Sequence, residues 1–120
     1  MARLSYIIAI IGIALVCVFA EELYSSQFDD VDINAVFNNP KLRRQYYKCM
    51  MDIAPCRTAD AKFFKEIFGD ALQTECRKCT EKQKQILDFV IDWYTKNNPA
   101  ELQAMIAKSL EDLQKKNAKQ

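Results

Sequence analysis

Apolar residues recur at helical spacing along most of the chain after residue 30. Residues 82–97, KQKQILDFVIDWYTKN, place two neighbouring apolar stripes on one side of a predicted helix and charged side chains on the other. The two stripes consist of Ile86, Val90 and Trp93, and of Leu87, Ile91 and Tyr94. From Pro99 onward, a further stripe consists of Leu102, Ile106, Leu110 and Leu113. Both segments therefore predict amphipathic helices that bury one face.

An earlier segment has the same pattern. Asn39 and Pro40 place a capping residue directly before a first-turn proline, which is typical of a helix start. The apolar positions that follow at helical spacing are Leu42, Tyr46, Cys49 and Ile53. A short helix is also expected over residues 32–37, just before this start.

Capping residues mark the remaining boundaries. Thr58 is suited to begin a helix that Gly69 ends, and Asp70 is suited to begin a separate helix, DALQTEC. Thr80 and Gln83 form a capping box at the start of the helix over residues 82–97. No segment alternates apolar and polar residues for long, so strands have little support. The sequence therefore predicts an all-α fold, a compact bundle of about six short helices.

The first twenty residues, MARLSYIIAIIGIALVCVFA, have the features of a secretory signal peptide. Arg3 precedes an apolar run, and small residues at Val18 and Ala20 suit cleavage before residue 21. A transmembrane anchor is the competing interpretation, but the run is short and contains Ser5 and Gly12. We therefore expect a signal peptide at residues 1–20 and a single secreted domain at residues 21–120, with no stable membrane insertion after the signal is removed.

Charge and composition exclude several classes of function. Removal of Arg3 leaves 16 basic and 16 acidic residues, so the mature chain has no charge excess for nucleic acid. The chain has no histidine, and its carboxylate pairs at helical spacing, such as Asp88 and Asp92, have no partners that suggest catalysis. We therefore expect a monomeric protein that is not an enzyme and uses no cofactor or metal.

Four cysteines remain after signal removal, as C-x6-C at residues 49–56 and C-x2-C at residues 76–79. A zinc site is disfavoured because histidine is absent and only one pair has knuckle spacing. A redox centre is disfavoured because the strand and crossover pattern of a thioredoxin-like fold is missing. Structural disulfides fit an oxidising compartment, but the spacing alone leaves all three connectivities open.

Three segments resemble the insect chemosensory proteins, also called OS-D-like proteins. They are FDDVDINAVFNNPKLRRQYYKCMMDIAPC, DALQTECRKCTEKQK and VIDWYTKNNP, and they surround the C-x6-C, nineteen-residue, C-x2-C frame. The resemblance covers residues 24–110. It implies that each close pair of cysteines is bonded, Cys49 to Cys56 and Cys76 to Cys79.

The resemblance also implies an apolar internal channel that carries small hydrophobic molecules, such as fatty-acid-like molecules, alcohols or esters. Tyr46 matches a channel tyrosine whose hydroxyl could meet the polar end of a ligand. Other matching positions are Phe28, Ile33, Phe63, Val90, Ile91 and Leu102. Trp93 and Tyr94 are added from their place on the broad apolar face. Ordinary core packing is the alternative interpretation for every one of these residues.

Two further alternatives stay open. The same bundle could present its outer surface to a protein receptor, as a secreted developmental, immune or salivary factor. A saposin-like lipid-binding domain is also small, helical and stapled by disulfides, but such domains typically pair six cysteines over long intervals.

Overall fold

The computed structural model of the protein describes residues 22–118, which form five α-helices. The predicted signal peptide at residues 1–20 lies outside the described residues. The helices are α1 (Ile33–Asn38), α2 (Pro40–Met50), α3 (Ala59–Gln73), α4 (Glu81–Asn97) and α5 (Pro99–Ala118). No strand forms among residues 22–118, so the all-α prediction is confirmed and the helix count is close to the predicted six.

Most helix starts lie where the capping residues predicted them. The side chains of Asn39 and Thr58 accept backbone hydrogen bonds, each at 3.2 Å, from Leu42 and Ala61 at the starts of α2 and α3. At the start of α4 the Gln83 amide donates to the Thr80 hydroxyl at 3.1 Å, and the Thr80 amide donates to the Gln83 side chain at 2.9 Å. These short-range interactions define helix starts without help from the rest of the fold.

Gly69 is the exception, and the prediction that it ends a helix was wrong. Helix α3 continues through Gly69 to Gln73, so DALQTEC is not a separate helix. A Cβ atom at this position would lie 2.5 Å from the carbonyl oxygen of Ser109 in α5. Glycine is therefore required here because two helices approach closely, and not because the chain turns.

The predicted α2 stripe was also wrong at its last member. Helix α2 ends at Met50, and Ile53 lies beyond it with 64 % of its surface exposed. Asp52 has a φ of 58°, and the amide of Ile53 donates to the carbonyl oxygen of Lys48 at 2.9 Å. The backbone thus turns back on itself before helical spacing can place Ile53 on the buried face.

Both disulfides predicted from the family resemblance are present. Cys49 is bonded to Cys56, and Cys76 is bonded to Cys79. The first links the end of α2 to the loop before α3, and the second lies between α3 and α4. Each therefore fixes a corner between consecutive helices.

Four charged side chains, which we call the charge cluster, join the first disulfide turn to α3 and α5. Lys65 and Lys108 lie 3.0 Å and 3.1 Å from the Asp52 carboxylate, and both also pair with Asp112, at 3.5 Å and 3.0 Å. The hydrogen bond from Lys65, followed by that from Lys108, lowers the pKa of Asp52. Because Asp52 is half exposed, each ion pair alone contributes little to the stability of the fold. Any larger contribution comes from the four side chains acting together as a network.

The core is built from aromatic and aliphatic side chains of α1, α3, α4 and α5. Its buried members are Val36, Phe37, Phe68, Tyr94, Leu102 and Met105. Phe37 contacts the rings of Phe89, Trp93 and Tyr94 edge-on, with centroids 5.2 to 5.8 Å apart.

The apolar stripe predicted for α5 is only partly the buried face of that helix. Leu102 is buried as expected, but its buried companions are Met105 and Ser109. The other predicted members, Ile106, Leu110 and Leu113, are only half-buried. Ser109 lies where α5 crosses α3 at Gly69. Because only small side chains fit at such a close crossing, the side of α5 that carries Ser109 is the buried one.

None of the helices within residues 22–118 combines the length and the apolar composition needed to cross a bilayer.

Candidate functional site: an apolar cavity with a polar mouth

A cavity of about 100 Å³, counted as the space open to the centre of a water molecule, lies inside the bundle. Protein interiors are close-packed, and roughly 10–15 Å³ on this measure already accommodates one water. The exposed atoms of its wall are almost all apolar. A void of this size and character is therefore suited to an apolar guest.

All five helices contribute to the wall. Helix α4 supplies Gln83, Ile86, Leu87, Val90 and Tyr94, which share one helical face. Helix α3 supplies Phe64, Ile67, Phe68 and Ala71, again at spacings of three and four. The remaining wall residues are Val31, Ile33, Phe37, Arg43, Tyr46, Tyr47, Met50, Cys76, Cys79 and Met105. The second disulfide thus forms part of the cavity wall, whereas the first does not.

Four of the nine side chains expected to line a channel are in this wall, namely Ile33, Tyr46, Val90 and Tyr94. Ile91 and Trp93 pack against the core without lining the cavity, and Leu102 is a buried core residue. Phe28 and Phe63 contact each other instead, with ring centroids 5.2 Å apart. The helical pattern of α4 places Val90, Ile91, Trp93 and Tyr94 on one broad apolar face. It does not distinguish the residues that line the cavity from those that pack beside it.

Sequence reasoning expected only Phe63 of α3 to line the cavity, and it missed four other α3 residues and two polar residues of the wall. The positions Phe64, Ile67, Phe68 and Ala71 form a regular stripe, so the signal for α3 was available in the sequence. Arg43 and Gln83 carried no such signal. A polar residue in an apolar wall becomes visible only when its neighbours in space are known.

The Tyr46 side chain presents its ring to the cavity, but its hydroxyl is already engaged. It donates a hydrogen bond to the Asp60 carboxylate. Burial, and next this bond, raises the pKa of Tyr46 to about 12. Burial alone would raise the pKa of Asp60, but hydrogen bonds from Thr58 and Tyr46 outweigh it and leave that pKa below its usual value. The Tyr46 hydroxyl therefore acts as a structural donor in this arrangement.

Gln83 is another polar member of the wall, with only 3 % of its surface exposed. Its side-chain nitrogen donates to the Ser25 carbonyl oxygen at 2.8 Å and to the Asp29 carboxylate at 3.2 Å, in addition to the capping bond to Thr80. The Thr80 hydroxyl also donates to Asp29, at 2.8 Å. These bonds satisfy the amide and hold the segment before α1 against the start of α4.

A surface depression, which we call the notch, adjoins the cavity and shares Arg43, Tyr47 and Tyr94 with it. Its other lining residues are Pro40, Arg44, Trp93, Asn98 and Glu101. Arg44 pairs with Glu101 at 2.7 Å, and its guanidinium lies 4.8 Å above the Tyr47 ring. The three shared side chains form the boundary between the apolar interior and a polar exterior.

The composition of the cavity wall is suited to binding a small apolar molecule. All four cysteines among residues 22–118 are in disulfides, so none is a free nucleophile. Within the same residues, no group of three or more metal-ligating side chains lies where it could hold an ion. What remains is a cavity of apolar surface with a few oriented polar groups, which is the usual form of a small-ligand site.

The sequence profile of the insect pheromone-binding family, A10/OS-D, matches residues 24–117. The chain belongs to the A10/OS-D family. Its resemblance to the insect chemosensory proteins is thereby confirmed over nearly the whole described region. The name of the family refers to pheromone binding, which agrees with the apolar character of the cavity.

Three relatives from insects are similar to this chain in sequence. The ejaculatory bulb-specific protein 3 of Drosophila melanogaster is 37 % identical over 102 residues, which cover 85 % of this chain and 80 % of the relative. The putative odorant-binding protein A10 of the same fly is 42 % identical over 68 % of this chain and 52 % of its own length. The allergen Tha p 1 of Thaumetopoea pityocampa is 41 % identical over 65 % of this chain and 61 % of its own length. No solved structure shows a significant match.

Proposed function

We propose that this A10/OS-D protein is a secreted carrier that holds one small hydrophobic molecule in the cavity. The observation that supports this proposal is the almost wholly apolar void of about 100 Å³ adjoining a polar notch. The name of one relative, a putative odorant-binding protein, is consistent with such a role. Of the predicted ligand-binding residues, we retain Ile33, Tyr46, Val90 and Tyr94 as the wall of this site, and add the α3 stripe.

The strength of binding follows from the apolar wall. Each methylene that leaves water contributes about 0.8 kcal/mol, so two added methylenes strengthen binding by about tenfold until the cavity is full. A carrier must also release its ligand, which suits micromolar affinity, near −8 kcal/mol. Affinity should therefore rise with chain length and then stop rising.

The test is a titration of the oxidised mature chain, residues 21–120, with an environment-sensitive apolar probe, followed by competition with alcohols of graded chain length. Trp93, the only tryptophan of the chain, packs 5.0 Å from the Tyr94 ring and reports ligand entry through its fluorescence. Saturable, stoichiometric and length-dependent displacement is expected.

A matched pair of variants locates the binding site. Val90→Phe adds volume inside the cavity, whereas Ile91→Phe adds a similar ring at a neighbouring α4 position outside its wall. Val90→Phe is expected to weaken probe binding by about tenfold, and Ile91→Phe to leave it nearly unchanged. Equal effects would place the probe elsewhere. A folded wild-type protein without saturable binding would refute the carrier and favour a secreted factor that acts through protein contacts.

A further inference from the structure

Arg43 is a charged side chain in an otherwise uncharged wall. Among the residues lining the cavity in the described part of the chain, it is the only one with a formal charge. One guanidinium nitrogen donates to the Phe37 carbonyl oxygen at 2.6 Å, and the guanidinium carbon lies 4.3 Å above the Trp93 ring. Within residues 22–118, no carboxylate forms an ion pair with it.

These two contacts orient the guanidinium without neutralising it. An arginine has five N–H donors, and the bond to Phe37 uses only one nitrogen of the fork. The Trp93 face attracts the cation but adds no negative charge. Arg43 is half-buried and also lines the notch, so a ligand at the boundary between cavity and notch can reach its remaining donors.

The surroundings of Arg43 favour an anion. The notch holds two guanidiniums, Arg43 and Arg44, against one carboxylate, Glu101. Glu101 is held by Arg44 at 2.7 Å, so that pair is close to neutral and Arg43 supplies the excess positive charge. The exposed surface of the cavity wall is almost wholly apolar, so the stem of Arg43 lines the cavity while its guanidinium opens toward the notch.

Tyr94 supplies a neutral donor beside Arg43. Burial, and next the Glu101 carboxylate, raises the pKa of Tyr94 to about 12, so its hydroxyl keeps its proton at ordinary pH. Glu101, Arg43 and Arg44 act electrostatically on this hydroxyl, and all three residues line the notch. In the described region the Tyr94 hydroxyl makes no hydrogen bond to another residue. Its proton is therefore available to a ligand, unlike that of Tyr46.

We infer that Arg43 and Tyr94 form a head-group subsite for a carboxylate, so that the preferred ligand is a chain-like organic acid with its tail in the cavity and its head at the notch. This inference rests on the proposed carrier function and names its ligand class. A planar carboxylate matches the fork of a guanidinium and can accept two parallel hydrogen bonds from it. A neutral alcohol or ester would leave the charge of Arg43 without a counterion.

The experiment compares an alkanoate and an alcohol of the same chain length as competitors of the apolar probe at neutral pH. The wild-type protein is expected to bind the alkanoate about tenfold more tightly, as hydrogen bonds to a charged group imply. Arg43→Gln should abolish this preference, so that the alkanoate and the alcohol displace the probe with similar affinity. Lys41→Gln is the control, because it removes one positive charge from an exposed α2 position outside the cavity and the notch.

Two further variants keep the test decisive if Arg43→Gln folds poorly. Arg43→Lys retains the charge without the fork and should keep part of the preference. Tyr94→Phe retains the ring in the wall and should lower the alkanoate affinity severalfold and the alcohol affinity by less, because a carboxylate accepts the stronger hydrogen bond.

The outcomes separate this inference from the function it rests on. If the alcohol binds and the alkanoate is not preferred, the carboxylate subsite is refuted and the carrier stands. A preference that survives in both Arg43→Gln and Tyr94→Phe also refutes the subsite, because the head group then binds elsewhere. If neither competitor displaces the probe from the folded wild-type protein, the carrier function itself fails.

Discussion

Two tyrosines of the cavity wall differ in what their hydroxyls do. The Tyr46 hydroxyl is bound to Asp60, which lies one residue after the start of α3, so it ties α2 to α3. The Tyr94 hydroxyl lies among the charges of the notch instead. Since the rings of both residues line the same cavity, only the hydroxyl partners distinguish a structural tyrosine from one available to a ligand.

Tyr46→Phe should change how stability depends on alkaline pH. The pKa of Tyr46 is raised in the folded protein to about 12, from 10.0, so its contribution is present below about pH 10 and is lost as pH rises toward 12. Loss of the bond to Asp60 should lower the free energy of unfolding by about 1–2 kcal/mol at neutral pH. Denaturant unfolding at pH 7, 9 and 11 measures this, and the variant should lose less stability than wild type above pH 10.

Tyr47→Phe is the matched control, because the Tyr47 hydroxyl makes no hydrogen bond to another residue in the region that the structure describes. Equal alkaline slopes for wild type and Tyr46→Phe would contradict the assignment.

Gly69→Ala should destabilise the fold although alanine is the better helix former. Helix propensity alone would favour the variant by about 1 kcal/mol. The new Cβ, however, would lie 2.5 Å from the Ser109 carbonyl oxygen, and a backbone atom in α5 cannot move aside alone. We expect a net loss of about 1–3 kcal/mol in the free energy of unfolding, measured by urea denaturation. Gln73→Ala, at an exposed position of the same helix, is the control, and a Gly69→Ala variant of unchanged or higher stability would show that the crossing is not tight.

At the scale of elements, the start of α4 joins local and long-range interactions. The capping box of Thr80 and Gln83 is a local device that any α4 with this sequence could form. The same two side chains also bind Ser25 and Asp29, more than fifty residues earlier in the chain. The helix cap is therefore also the anchor of the segment before α1.

Gln83→Ala should detach that segment as well as weaken the cap. It removes three hydrogen bonds of a buried amide and leaves Asp29 and the Ser25 carbonyl without this partner. We expect a loss of about 1–3 kcal/mol in stability and faster hydrogen exchange at the Tyr24 amide, which donates to Lys78 at 2.8 Å. Gln85→Ala, at an exposed position of α4, should have neither effect. If the two variants exchange Tyr24 at the same rate, Gln83 does not anchor the segment.

At the scale of the whole molecule, the two disulfides have different surroundings. Cys76 and Cys79 belong to the cavity wall, whereas Cys49 and Cys56 close the turn that carries Asp52, one member of the charge cluster. The closed rings span eight and four residues, and the chain-entropy relation assigns each a stabilisation of about 2 to 2.5 kcal/mol. The two bonds should thus matter similarly for stability and differently for binding.

Paired replacement tests this difference. The variant Cys76→Ala/Cys79→Ala should bind the apolar probe more weakly than wild type, because part of the cavity wall is released. The variant Cys49→Ala/Cys56→Ala should lose similar stability while keeping most of its affinity. Circular dichroism establishes that both remain helical, and the probe titration measures affinity. Equal losses of affinity would mean that the second disulfide has no special role in shaping the cavity.

The sequence by itself determined the features that depend on neighbours along the chain. Caps at Asn39, Thr58 and Thr80 defined helix starts, because the groups they satisfy lie within three residues. The cysteine spacing and its flanking segments were enough to indicate the family and, through it, both disulfides. Four of nine expected wall residues line the cavity.

The tertiary structure decided the rest, because periodicity reports which face of a helix is apolar and not what lies opposite it. The sequence predicts a helix end at Gly69. Only the position of α5 against this residue shows that glycine is needed there for a close helix crossing. Val90 and Ile91 are adjacent and equally apolar, yet only Val90 faces the void. Nothing in the sequence distinguishes Arg43 from the other charged residues. It lies between an apolar cavity and a polar notch because helices that are distant along the chain pack around it.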